Sequence, residues 1–323
     1  MKIAYFTDMF LPHLNGVTTA LLNQITGLSE NGHEIYVFAP KAKPYRAVKV
    51  QLKNVHIELM PSFPILVYPD IRFSYPIFNK SFAVVKKFNP DIIHFQSPSS
   101  AGIAAMIAAK QLKKPLIGTF HGYFMEPEYL KVIGFQDTVQ KITTAILWKY
   151  TAVYFNQCDG VVTPSDLSRG DIVENGITKD IHVIHNSLDS KKVKRISNEK
   201  IQQLKKKLGL KENVVLYVGR ISAEKDINEL IRSFKLVLNK VPDTNLCIIG
   251  KGPETERLKE LAEELGIANE VVFLGEVSQK SLLAGGYYQM CDVFATASTS
   301  ELQPVSIIEA FALGLPVIGT AKR

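Results

Sequence analysis

The sequence predicts two doubly wound α/β units in tandem, on three observations. Short apolar runs alternate with stretches of helical spacing. The runs are continuously apolar, as strands buried on both faces of a parallel sheet must be. The alternation stops once, at a polar and basic segment, and then restarts. A length of 323 residues exceeds the usual size of one hydrophobic core and agrees with two domains, expected at 1–190 and 191–323.

KIAYFTD (2–8) is the opening strand, and Val17, Leu21, Ile25 and Leu28 then recur at helical spacing between Gly16 and Asn31. EIYVFAP (34–40), HIELM (56–60), DIIHFQS (91–97), PLIGTFH (115–121), GVVTPS (160–165) and IHVIHN (181–186) read as the strands that follow. HNSLDSKKVKRISNEK (185–200) has no apolar periodicity and reads as a linker running into a helix. The second set of strands is NVVLYVGR (213–220), NLCIIG (245–250), EVVFLG (270–275), DVFATAS (292–298) and PVIGT (316–320). Helices between them are expected to start near Asp226, Glu254, Ser278 and Pro304. Ligands of such sheets sit at the carboxyl ends of strands, so the cleft between two such units is the expected active site.

The opening MKIAYFTD lacks the pattern of a cleaved signal, and no run of about 18 apolar residues would span a membrane. Cys158, Cys247 and Cys291 are far apart and lie beside apolar stretches, so buried reduced thiols are expected. The net charge of +7 is lopsided. Residues 1–195 hold 22 lysines and arginines against 15 acids, whereas 196–323 hold 16 of each. The first half therefore suits either an anionic partner or simply a basic solvated surface.

In YVGRISAEKDINELI (217–231) the cations Arg220 and Lys225 follow a strand end and precede a helix. That placement suits a diphosphate, although two solvated loop cations would look the same. ELQPVSIIEAFALGLPVIGT places Glu301 in a loop and Glu309 in the next helix, flanked by Ile308, Ala310 and Phe311. A carboxylate buried there needs hydrogen-bond donors, and sugar hydroxyls are such donors. Pro304 suits the first turn of that helix.

GRISAEKD, then E-(seven residues)-E and GLPVI, resemble the retaining glycosyltransferases of family 4, which have the GT-B fold: two Rossmann-like domains facing across a cleft. FLPHLNGVTTALLNQITGLSENGHEIYVFAP, PDIIHFQSP, GTFHGY and VVTPSDLSRGDI match the same family in order, so the resemblance spans essentially the whole chain. It implies an acceptor domain followed by a nucleotide-sugar domain. Arg220 and Lys225 would bind and stabilise the leaving diphosphate, Glu309 the ribose, and Glu301 the hydroxyls of the transferred sugar. Gly16 would lie on a loop by the phosphates and His121 beside the reacting carbon. Gly250 and Gly252 would let the backbone approach the nucleotide, and the stretch around Gly275 and Val277 would lie by the base. No metal is implied, and no Asp-x-Asp motif occurs. Two departures stand out. Gln303-Pro304 replaces the family's Phe-Gly or Gln-Gly, leaving the amides of Val305 and Ser306 to meet a phosphate, and Ser187 replaces a glycine. Family members continue beyond GLPVI, so a second domain truncated at its C-terminus is expected.

ELQPVSIIEAFALGLPV, DIIHFQSPSSAG and FHGYFMEPEYL are most similar to the diacylglycerol glucosyltransferase branch. This implies UDP-glucose as donor substrate, a lipid acceptor, no cofactor, and a cytoplasmic enzyme peripheral on the anionic inner face of the membrane. The segment 61–80, with Phe63, Tyr68, Phe73, Tyr75 and Phe78 and prolines that prevent a regular helix, is expected to be an acceptor or membrane-contact loop, or else to pack on its own domain. Helix 138–157, with Lys141, Trp148 and Lys149, would lie at an interface or in the core. Two other readings stay open: a GDP-mannose-dependent mannosyltransferase, and a sugar-nucleotide-binding protein without turnover. A nucleic-acid partner has no recognition motif behind it. Hydride transfer lacks a G-x-G-x-x-G after the first strand.

Overall fold

The computed structural model describes residues 1–13, 15–42, 52–64, 72–74, 80–123 and 137–321. The chain divides into two compact units, Met1–Ser187 and Leu188–Arg323, slightly before the boundary expected from the sequence.

The first unit runs β1 (Lys2–Phe6), α1 (Gly16–Glu30), β2 (Glu34–Pro40), β3 (Val55–Met60), β4 (Ser62–Pro64), β5 (Arg72–Ser74), α2 (Lys80–Phe88), β6 (Ile92–Phe95), α3 (Ser100–Leu112), β7 (Leu116–Thr119), α4 (Asp137–Phe155), β8 (Gly160–Thr163), α5 (Asp166–Glu174) and β9 (Ile181–Val183). Seven of these strands form a parallel sheet in the order β3-β2-β1-β6-β7-β8-β9. The order reverses at β1, which lies between β2 and β6. Leu21 and Ile25, one helical turn apart on α1, are fully buried with Tyr5, Ile35 and Val37 of the sheet. Asn15 caps α1 by accepting from the Thr18 amide at 2.9 Å.

Two readings that the sequence leaves open are narrowed here. Within the segment 61–80, β4 and β5 pair antiparallel with Phe63 opposite Phe73. Both rings are exposed and face one another at 5.3 Å. Tyr68, Tyr75 and Phe78 lie outside the described residues. Of the two placements the sequence leaves open for Trp148 on α4, the structure has the core. The indole is buried and stacks on Phe120 at 5.9 Å.

The second unit continues with a 3-10 turn at Ser190–Lys192, α6 (Asn198–Lys207), β10 (Asn213–Val218), a 3-10 turn at Ala223–Lys225, α7 (Ile227–Leu238), β11 (Thr244–Ile249), α8 (Thr255–Glu264), β12 (Val271–Gly275), α9 (Gln279–Ala284), β13 (Val293–Thr296), α10 (Val305–Ala312) and β14 (Val317–Gly319). Its five strands are parallel in the order β12-β11-β10-β13-β14. Asp226, Glu254, Ser278 and Pro304 stand at the N-cap positions of α7, α8, α9 and α10, so these helices start near the residues the sequence marks, with Pro304 just before the first turn and not in it. Ile227, Leu230, Ile231 and Phe234 form the buried stripe of α7, at the i, i+3, i+4, i+7 spacing of an amphipathic helix. The three cysteines are free and buried. Burial pushes the Cys158 and Cys247 thiols up to about 12, so neither is a reactive thiolate.

Candidate active site

In a doubly wound sheet the loops after the two strands at the reversal point splay apart and leave a crevice. In the second unit those strands are β10 and β13. The loop after β10 carries Arg220 and Lys225, and the loop after β13 carries Glu301. The two loops are tied together. Lys225 Nζ lies 2.6 Å from Glu301 Oε1 in a partly buried ion pair. The hydroxyls of Ser298 and Ser300 donate to the Glu224 carbonyl at 3.5 Å. Glu224 itself is buried and accepts from the Ser222 hydroxyl at 2.5 Å. Arg220 is partly exposed, and its carbonyl accepts from the Tyr217 hydroxyl at 3.0 Å, which anchors the backbone that carries the guanidinium.

Glu309 projects from the middle of α10 and is buried. Its Oε2 accepts from the Tyr288 hydroxyl at 2.7 Å and its Oε1 from Gln279 Nε2 at 3.1 Å. Burial pushes its carboxyl above the usual range, against those two donors. Pro304 precedes α10, so the amides of Val305 and Ser306 occupy the first two helical positions and have no intrahelical acceptor. Val277 is partly buried beside Gly275, at the end of β12.

Gly250 and Gly252 have a role closer to home than the sequence suggests. A Cβ on Gly250 would lie 1.8 Å from the Gly219 carbonyl oxygen, and one on Gly252 2.0 Å from that of Ile221. These glycines let the loop after β11 lie directly against the loop that carries Arg220, an approach that only a bare backbone allows.

In the first unit Gly16 is the first residue of α1 and not a loop residue. A Cβ there would meet nothing within 4 Å. His121 follows β7 at the carboxyl edge of the sheet, and its Nε2 lies 2.7 Å from Oε1 of Gln96, at the end of β6. Its surroundings push the imidazole down to about 4, so it is neutral at physiological pH. Asp8, after β1, is buried and accepts from the hydroxyls of Ser97, Ser99 and Ser100 and from the Ala101 amide, closing the N-terminus of α3. Tyr288, Gln279, Gln96 and Asp8 are the polar partners that sequence reading missed. The one signal available was the position of Asp8 and Gln96 at strand ends.

His94 on β6 is buried, 2.7 Å from Thr119 Oγ1, and burial, with His121 adding to it, pushes its imidazole down to about 3. Unfolding restores an ordinary imidazole near 6.5, so the unfolded chain binds the extra proton between those values. Stability conferred by the neutral ring is therefore present above about pH 6.5 and lost as pH falls towards 3, by at most about 1.4 kcal/mol per pH unit. Urea unfolding across that range should show a flatter slope for His94→Gln than for the wild type. Equal slopes would mean that the ring protonates in place.

The family model described as Glycosyltransferase Family 4 matches residues 14–192, and the one described as Glycosyl transferases group 1 matches residues 198–323. An alpha-monoglucosyldiacylglycerol synthase of Streptococcus pneumoniae is 31% identical over 328 residues, covering 98% of this chain and 70% of that protein. A GDP-mannose-dependent alpha-mannosyltransferase of Corynebacterium glutamicum is 28% identical over 323 residues, covering 99% of this chain and 72% of that one. Among solved structures, Anabaena Alr3699/HepE in complex with UDP and glucose superposes with a TM-score of 0.75 at 22% identity, covering 99% of this chain and 80% of that one.

Proposed function

The chain belongs to glycosyltransferase family 4, and from that premise we propose that it transfers glucose from UDP-glucose to a diacylglycerol-type lipid, retaining the anomeric configuration, at an anionic membrane face in the cytoplasm. The observation that carries this is the cluster at the β10/β13 reversal point, where Arg220, Lys225 and Glu301 converge on adjoining loops and α10 opens behind them. Arg220 grips the diphosphate through two oxygens, and Lys225 acts as a point charge. The lysine ammonium has three donors, so it can hold Glu301 and a diphosphate oxygen together. The amides of Val305 and Ser306 add neutral donors, and Glu309 takes the ribose. With that much positive potential already aimed at the leaving group, a divalent ion has little left to supply. Glu301 meets hydroxyls of the transferred sugar, and neutral His121 offers a hydrogen bond beside the reacting carbon.

The lipid acceptor rests on the similarity to the monoglucosyldiacylglycerol synthase and on α4. Val139, Ile142, Ile146, Tyr150 and Val153 are all exposed and share one face of that helix, flanked by Lys141 and Lys149. An outward helix face is normally polar, and an apolar one edged by lysines suits insertion at an anionic surface. Among the described residues no helix is long and apolar enough to cross a membrane. The similarity to the mannosyltransferase favours a second reading, GDP-mannose as donor.

The test supplies UDP-glucose or GDP-mannose with anionic liposomes, with and without diacylglycerol, and identifies products by mass spectrometry. A diacylglycerol-dependent glucosyl lipid is expected. A mannosyl product from GDP-mannose alone would replace the first reading with the second. In the same assay, Ile142→Glu with Ile146→Glu should lower liposome binding and lipid product by about tenfold or more, since each removes an apolar side chain worth about 1.5 kcal/mol or more when buried. UDP binding should not change. Full liposome binding by this variant would detach α4 from the membrane.

A further inference from the structure

Glu309 is an expensive residue to keep where it is. It is 4% exposed, sits on a helix packed into the core, and has no cation partner among the described residues. Nothing in the packing of α10 calls for a charge at this point, since its buried neighbours Val305 and Ala310 are apolar. What it has are two neutral donors that come from different elements. Tyr288 is fully buried, its ring packed near Phe294 of β13, and its hydroxyl meets Oε2. Gln279 is the first residue of α9, directly after the Ser278 cap, and its amide meets Oε1. Each carboxylate oxygen accepts one of these bonds and keeps one acceptor site. Two such sites side by side on one carboxylate match the two adjacent hydroxyls of a vicinal diol.

We propose that Tyr288 and Gln279 are positioning residues that clamp Glu309 in one rotamer and aim its two remaining acceptor sites at the 2′- and 3′-hydroxyls of the donor's ribose. The proposal rests on the reading of Glu309 as the ribose contact and adds the two groups that make this contact rigid. Tyr288→Phe removes one oxygen atom and leaves the ring's packing in place, which separates aim from fold. A carboxylate that has lost one of its clamps still offers acceptors, but to no fixed direction, so the loss should appear as poorer discrimination of the diol.

The experiment titrates the folded chain with UDP, 2′-deoxy-UDP and 3′-deoxy-UDP by calorimetry, using the corresponding guanosine compounds if GDP is the nucleotide that binds. The wild type should prefer the ribonucleotide over either deoxy compound by about tenfold, as for a hydrogen bond to a charged group. Tyr288→Phe should bind the ribonucleotide about fivefold to tenfold more weakly and the deoxy compounds almost as before, so that the preference collapses. Gln279→Leu, at a partly exposed helix start, should shift the preference in the same direction and serves as the readout if Tyr288→Phe unfolds. A wild type without the preference, or one that binds neither UDP nor GDP, would remove the ribose reading and this proposal with it. A wild-type preference retained in both variants would leave the ribose reading standing and overturn the clamp.

Discussion

Replacing Arg220 with alanine is expected to lower turnover by about 10²–10³-fold, the cost of removing a preorganised donor from a developing anion. The side chain is partly exposed, so no cavity opens, and the backbone stays anchored by the Tyr217 hydroxyl on the Arg220 carbonyl. What is lost is the bidentate grip on an oxygen pair whose charge grows as the sugar–phosphate bond lengthens, so kcat should fall far more than donor KM rises. Arg220→Lys should fall between the two, because it keeps the charge and loses the fork. The comparison with Lys225 is instructive. Lys225→Ala also strips Glu301 of its partner at 2.6 Å, so its effect would mix two losses. Steady-state kinetics on Arg220→Ala settle the point, and an effect within threefold would place the guanidinium outside the reaction.

The second large effect is structural and acts on the same loop. Gly250 has φ +144, a backbone region that other residues rarely adopt. A methyl group there would also overlap the Gly219 carbonyl oxygen. Gly250→Ala should therefore destabilise the second unit by about 3 kcal/mol or more. Gly275 provides the control. Its φ is +70, but a Cβ there meets nothing within 4 Å, so Gly275→Ala should cost only about 1–2 kcal/mol of backbone strain. Chemical denaturation of the two variants reads the difference, and equal costs would deny the close approach. Because Gly219 directly precedes Arg220, any relief of the overlap displaces the cation loop, and donor affinity should fall along with stability.

Much of the architecture was legible because it is local. Continuous apolar runs named the strands of both main sheets, and residues such as Ser278 and Asp226 marked where helices begin. The burial of Glu309 was also legible, from the apolar residues on either side of it. The partners were not. Tyr288 and Gln279 lie 21 and 30 residues from Glu309, and Lys225 lies 76 from Glu301. Those meetings depend on β13 pairing with β10, and strand order leaves no periodic mark in a sequence. The β4–β5 hairpin was hidden for a different reason: three-residue strands among prolines are too short to show an alternation. For Trp148 the sequence leaves interface and core both open, because an aromatic between lysines decides neither until the helix is seen on its sheet, where Lys141 and Lys149 are exposed and the indole is buried.

The strand order of the second unit also sets a timetable. Chains emerge from the ribosome N-terminus first, and domains generally fold as they appear. The first unit, ending at Ser187, can be complete before β10 exists. β10 then finds β11 early, but its other neighbour, β13, arrives only with residues 293–296. Throughout that interval a nascent chain displays Arg220 and Lys225 on a half-built edge, with Glu301 not yet made. Lys225 thus exists during synthesis before the carboxylate that pairs with it, and the ion pair forms only once the segment after β13 has been made.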